Sequence, residues 1–356
     1  MRGSLALAVV FLFIFTLPAG TFGAEEIGAA SRAGATYYVS PSGFDSNSGD
    51  QAHPFREIRK GLAAVSAGDT VFVADGSYLG FDVSGRHGSE GSNITIRAQG
   101  NNAVVTITTD RSDNRDTIHI SDSSYIVIEG LRSFNGNRAA MRISQSDFIT
   151  VRNCTFGNNA VWAIFTDFSD DLLVEGCELY GSGSQHGIYF SNSGDRPSAR
   201  NNTIHDNYGC GIHMNGDASM GGDGLITGGL IEGNVIYNNG NGGGGGINMD
   251  GVQNSVVQNN VLYNNHASGI VNFRGDGAAG PSGNVFYHNT VDMASNARWA
   301  LQISETAGPV KVRNNILYDR NPNRGGLALG DATDVANVDS DYNIMDRVTP
   351  DGWSTI

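Results

Sequence analysis

The 356-residue sequence predicts an all-β solenoid, a parallel β-helix of about 8–10 coils with a helix capping its N-terminal end. Two repeating registers and an unusual glycine and asparagine content carry that prediction. In the first register a small residue precedes an apolar–variable–apolar triplet. It reads Thr117-Ile118-His119-Ile120, Ala140-Met141-Arg142-Ile143, Ala163-Ile164-Phe165-Thr166 and Gly187-Ile188-Tyr189-Phe190. It continues as Gly211-Ile212-His213-Met214, Gly246-Ile247-Asn248-Met249, Gly269-Ile270-Val271-Asn272 and Ala300-Leu301-Gln302-Ile303, at steps of 23, 23, 24, 24, 35, 23 and 31 residues. In the second register a strand ends in a polar or small pair, as in Val151-Arg152-Asn153-Cys154, Val174-Glu175-Gly176-Cys177, Val257-Gln258-Asn259-Asn260 and Val312-Arg313-Asn314-Asn315. Glycine numbers 49 and proline only 8, so the glycine excess is neither collagen-like nor a proline-rich linker. Leucine-rich repeats share this period, but leucine is scarce here and no helical segment separates the strands.

From the N-terminus, Arg2 is followed by an apolar run from Leu5 to Leu17 and small residues around Ala19 to Ala24. Residues 1–23 therefore read as a secretory signal peptide, too short for a membrane span. The mature protein is expected to be secreted, extracellular or periplasmic, and monomeric. Residues 24–34 form a short linker. Residues 35–80 break the repeat and read as strand, helix, strand: Phe55, Ile58, Leu62, Ala63 and Val65 share one helical face, Gly68-Asp69 ends the helix, and Thr70 to Ala74 is a strand. Residues 81–345 are the coils, and 346–356 form a C-terminal tail or truncated end.

Each coil lays its strands about 4.8 Å from those of the coil below, so equivalent side chains stack. Asn202, Asn234, Asn260, Asn289 and Asn315 are expected to form an amide ladder. Cys154 and Cys177 fall at the same position of two adjacent coils, as two buried thiols or as a disulfide, which a secreted protein permits. Cys210 has no evident partner.

The formal charge is -14, and only Lys60 and Lys311 are lysines. This excludes nucleic acid and anionic membranes as partners. In the Gly-Ile strand the variable residue faces out, which gives an exposed column: His119, Arg142, Phe165, Tyr189, His213, Asn248, Val271, Gln302. Two residues on, the same face carries Ser144, Asp167, Ser191, Asn215, Asp250 and Ser304. The bunching of aromatics, a histidine, amides and carboxylates suits a polysaccharide furrow, and Gly216 to Gly229 and Gly275 to Gly283 are inserts placed to wall it.

These residue types fit β-elimination on a uronic-acid polymer. That reaction needs a base for the C5 proton, a proton for the departing O4 and a partner for the carboxylate. Tyr189 and His213 are the acid–base candidates; Asn215, Asn248 or Arg274 would hold the carboxylate. Phe165, Asp250, Arg142, His186 and Trp299 are substrate-binding candidates. Asp217, Asp223 and Asp250, with Asn215, offer hard oxygen ligands for Ca²⁺. No organic cofactor is expected, because Gly242 to Gly246 lacks a strand-to-helix context, and the eight histidines show no metal-ligand spacing. A glycoside hydrolase needs two carboxylates about 5–9.5 Å apart, which Asp167 and Asp250, three coils apart, do not meet and Asp217 with Asp250 could. A non-catalytic carbohydrate-binding module is the other alternative.

The opening "YYVSPSGFDSNSGD" followed by "PFREIRKGLAAVSAGDTVFVADGSY" resembles that of secreted bacterial right-handed parallel β-helix proteins, among them pectate-lyase-like and alginate- or chondroitinase-like polysaccharide lyases. The resemblance implies a right-handed solenoid and a polysaccharide lyase. It lies in the cap and transfers no catalytic residue. In pectate-lyase-like enzymes a calcium bridges the uronate and an Arg or Lys is the base; here Arg274, Arg298 or Arg142 would have to serve.

Overall fold

The computed structural model describes residues 34–106 and 115–347, which lie in one compact unit, Gly34–Ile356. The leader at 1–23, nearly all of the linker and residues 348–356 lie outside the described residues. The described chain winds into three all-parallel sheets of 12, 10 and 11 strands, with a two-stranded ribbon beside them. Each strand pairs with its counterpart one coil away, so the repeat in the sequence becomes the strand order of the sheets.

Alternation decides which side chains enter the core. In strand Ile212–Asn215, Ile212 and Met214 are fully buried and His213 faces out; Ile188–Ser191 and Gly245–Asp250 repeat the pattern. One continuous apolar core runs from Val39 to Leu329. At the corners, buried asparagines stack. Asn202, Asn234, Asn260, Asn289 and Asn315 each receive a backbone N–H and a side-chain N–H, or one of these, from the coil before at 2.9–3.2 Å. The residue before each stack position is left-handed, from φ 53° at Asn201 to 68° at Gly233, which explains the Asn-Asn and Gly-Asn pairs. Cys177 and Cys154 continue this stack as free buried thiols, the Cys154 N–H pointing at Cys177 Sγ across 3.4 Å.

The cap is strand Thr36–Val39, helix Ile58–Ala64 and strand Thr70–Val73. Phe55, Ile58, Leu62 and Val65 are buried as expected, but Ala63 faces solvent. The helix spans only 7 residues, and the fully buried Gly61 takes the inward position against Val71 and Val39. Asp69 ends the helix by accepting the backbone N–H groups of Ala35 and Ser66.

Candidate functional site

The ten-stranded sheet carries the expected column, half-buried rather than fully exposed, with Val271 buried outright. Its register runs Phe165↔Tyr189↔His213↔Asn248↔Val271↔Gln302, one residue per coil. The rings of Tyr189 and His213 lie parallel, 4.8 Å apart with 9° between their planes. Phe165 meets Tyr189 edge-on at 5.5 Å, and Trp162 stacks on Phe165 at 4.6 Å. Arg142 sits 5.5 Å over the Phe165 ring and pairs with Asp167 at 2.7 Å.

A second column lies three residues upstream of the first, at Trp162, His186, Cys210 and Trp299. His186, a substrate-binding candidate in the sequence, is buried, its ring set edge-on to both Tyr189 (5.2 Å) and His213 (4.7 Å). The backbone N–H of Cys210 donates to His186 Nδ1 across 2.9 Å, and His186 Nε2 meets His213 Nδ1 at 3.1 Å. These contacts fix both tautomers. A ring nitrogen that accepts an N–H carries no proton, so neutral His186 is protonated at Nε2 and donates to His213 Nδ1. His213 in turn holds its own proton at Nε2. Burial keeps both rings neutral: it pushes His186 down to about 2, with help from His213, and His213 down to about 4.

His186, Cys210 and His213 bring three potential metal-ligand atoms within 4.8 Å of one another, a grouping that sequence spacing did not reveal. The donor chemistry disfavours a metal in this arrangement. His186 Nε2 carries the proton and has no lone pair to offer. Burial also pushes the Cys210 thiol up to about 11, against bonds from Gly245 and Asn248 that pull it down.

Tyr189 receives a hydrogen bond from Asn215 Nδ2 at 3.1 Å, and the Asp217 N–H holds Asn215 Oδ1 at 3.2 Å. Asn215 is thus committed to the phenol rather than open to a carboxylate. Burial raises the Tyr189 phenol above its ordinary value; the Asn215 bond opposes this, and Asp217, Asp276 and Asp250 add to it. The two inserts bond to each other, Ala218 N to Asp276 O (2.8 Å) and Ala278 N to Gly224 O (2.9 Å), and form a joined wall.

The carboxylates expected as calcium ligands are engaged by backbone. Asp250 is buried and accepts the N–H groups of Gly275, Asp276 and Gly277 at 2.7–3.1 Å. Asp217 caps the short turn Ala218–Met220 through Ser219, and Asp223 accepts from Leu225 N. Among the described residues these three do not meet as a ligand group. Arg274 stands exposed where strand Ser268–Phe273 ends, beside the Asp250–Phe273 pair. Asn248 lies next to His213 with its Oδ1 buried and without a hydrogen-bond partner among the described residues. Trp299 lies three strands from the His213 row, with the Arg324 guanidinium 4.7 Å from its ring. Trp162 and Cys210 went unassigned in the sequence. The recurring place three residues before each variable position was their signal.

Over residues 92–222 and 162–345 the chain matches the family described as a right-handed β-helix region. The chain belongs to the right-handed β-helix family. A Bacillus subtilis relative, "Uncharacterized protein YwoF", is 36% identical over 99 residues, which is 26% of this chain and 21% of the relative, so the match spans about a fifth of that protein. Among solved structures, a rhamnogalacturonan lyase is similar at TM-score 0.61 and 15% identity, covering 87% of each chain. An alginate lyase from Paenibacillus sp. reaches TM-score 0.58 at 18% identity, covering 87% of this chain and 95% of the other. A mannuronan C-5 epimerase module from Azotobacter vinelandii reaches 0.52 at 18%, covering 87% and 83%, and a lacto-N-biosidase of Eubacterium ramulus is also similar. At these identities the likeness is one of fold.

Proposed function

We propose that this β-helix protein is a polysaccharide lyase acting outside the cytoplasm on a uronic-acid-containing glycan, with Tyr189 as its proton-transfer group. The observation that carries the reading is the Tyr189–His213 stack, in which the two groups are set for different tasks. His213 is neutral and holds its free proton at Nε2. A neutral imidazole is too weak an acid to protonate a leaving group, and its Nε2 has no lone pair to act as base. It suits a fixed N–H donor for the charge that grows on the uronate carboxylate when C5 loses its proton. Tyr189 Oη has a donor already aimed at it from Asn215, which favours the phenolate. The phenolate takes the C5 proton, the C4–O4 bond breaks, and the new phenol returns that proton to O4, so the phenolate is regenerated. Asn248 and Arg274 complete the carboxylate's surroundings, with Phe165, Trp162 and the Arg142–Asp167 pair on the N-terminal side.

A two-carboxylate hydrolase is less well supported. Asp167 and Asp250 stand three register steps apart, and each is already held, one by Arg142 and the other by three backbone N–H groups.

The test is incubation with a panel of polyuronates while following the ultraviolet absorbance of the unsaturated product. Each is run with and without chelator, so that dependence on a divalent cation such as Ca²⁺ is read directly, although among the described residues Asp217, Asp223 and Asp250 do not form a ligand group as they stand. Product from at least one uronate, lost in Tyr189→Phe and in His213→Ala, is expected. No product from any uronate, or near-normal rates in both variants, would refute the reading.

A further inference from the structure

We infer that the C-terminal end of the furrow is a second sugar site, built on Trp299 and selective for a unit that carries no carboxylate. The inference rests on the glycan-binding half of the reading above and is independent of the elimination chemistry.

Past Asn248 the floor changes character. The column continues as Val271, Gln302 and Ala328, so the polar and aromatic groups around Tyr189 give way to a floor in which Val271 and Ala328 are apolar and buried. Here a cavity of about 360 Å³ opens, lined by Trp299, Gln302, Ser304, Glu305, Ala328 and Asp331 among others. Its size falls within the range of small-ligand pockets, roughly 300–1,000 Å³. One aromatic wall, the apolar Ala328 and Leu329, an amide and a hydroxyl suit the apolar face and hydroxyl edge of a pyranose.

Two further observations define the ligand. First, the Trp299 indole Nε1–H is buried and has no hydrogen-bond partner among the described residues, an unfavourable state that a ligand oxygen would relieve. Trp162, in the same column, has the same unpartnered indole N–H. The two lie five register steps apart, about 24 Å at roughly 4.8 Å per strand, with Tyr189 and His213 between them. A linear glycan lying along the furrow would meet one tryptophan on each side of the reacting residue.

Second, the charged residues lining the cavity itself are acids; Arg324, whose guanidinium lies 4.7 Å from the Trp299 ring, is outside that lining. Glu305 and Asp331 are exposed and able to accept sugar hydroxyls, while Asp334 is buried beneath them and accepts the backbone N–H groups of Glu305, Thr306 and Asp331. A uronate seated here would face like charges, whereas a neutral sugar gains hydrogen bonds. The site therefore takes a neutral unit, and a polymer filling the whole furrow would combine uronic and neutral residues.

The experiment measures binding rather than turnover. The full chain carrying Tyr189→Phe is titrated, at low salt and with tryptophan fluorescence as the signal, with hexasaccharides from xylan, galactan, mannan and glucan and with hexagalacturonate. At least one neutral hexasaccharide should bind, and Trp299→Ala should weaken it on the order of tenfold or more, about 1.4 kcal/mol. Trp299→Phe, which keeps a ring but lacks the N–H, should fall between. Glu305→Gln with Asp331→Asn should raise the affinity for hexagalacturonate. The inference is overturned if no neutral hexasaccharide binds, if Trp299→Ala leaves every affinity unchanged, or if the charge-neutral pair leaves hexagalacturonate binding as it was. Elimination by the unsubstituted protein is scored separately, so either conclusion can fail alone.

Discussion

Replacing Asn215 with leucine removes the Nδ2–H that reaches Tyr189 Oη across 3.1 Å and keeps a side chain of similar size. A hydrogen bond to a charged group contributes about 1.5–3 kcal/mol, and a pKa unit corresponds to about 1.36 kcal/mol. Loss of this bond to the phenolate should therefore raise the Tyr189 pKa further. The phenol already lies above its ordinary value through burial, so at neutral pH the active phenolate is the minor form. In that regime kcat/KM falls in proportion to the phenolate fraction, and Asn215→Leu should lose about ten- to a hundredfold at pH 7. Asn215→Asp retains the oxygen that accepts the Asp217 N–H but faces the phenolate with a carboxylate, and should lose more. The assay is initial elimination rate against pH for both variants and the parent. In the parent, kcat/KM should climb with pH through neutrality. His213, down at about 4, adds no break above pH 5 or so. In Asn215→Leu the whole curve should shift to higher pH and the deficit should close at the alkaline end. A deficit of the same size at every pH would refute the assignment of Asn215 to the phenolate.

Three further outcomes follow from the same contacts. In ¹⁵N-histidine NMR near pH 7, His186 should be protonated at Nε2 and bare at Nδ1, and His213 should likewise carry its proton at Nε2; a proton on His186 Nδ1 would contradict the hydrogen-bond chain. Asn260→Ala removes the acceptor for two Asn234 donors and the donors to Ile231 O and Asn289 Oδ1, all buried. At roughly 1–3 kcal/mol per stranded group it should cost about 3 kcal/mol or more in urea unfolding, and a loss under 1 kcal/mol would count against the stack as a stabilising device. Acid should destabilise the fold. The folded pKa values of His186 and His213 lie below the unfolded 6.5, so the unfolded chain binds the protons, and stability is full above about pH 6.5 and falls below it. His186 alone contributes about 1.4 kcal/mol for each pH unit, a slope that His186→Gln should flatten. Equal urea midpoints at pH 7 and pH 5 would argue against buried neutral rings.

The column of Tyr189, His213 and Asn248 was legible because a strand's side chains alternate and the repeat length sets which residues become neighbours. The partners that give those residues their chemistry were not. His186 and Cys210 precede the strand, where a corner rather than alternation decides direction. The histidine–histidine contact depends on a backbone N–H that no pattern of side chains reveals. Asp250 and Asn215 looked open because they share the furrow face, yet loop N–H groups from the inserts engage both. Ala63 misled for a related reason: on so short a helix, a glycine took the inward place that periodicity assigned to a larger neighbour.

Because each register step shifts the chain by one strand spacing, the distance from Tyr189 to either tryptophan is quantised. Removing one whole turn between His213 and Trp299 would leave every local bond pattern intact and shorten the reach to the far aromatic by a single increment. On the proposed reading the molecule is in effect a ruler, and the length of oligomer it would grip is written in the number of its turns.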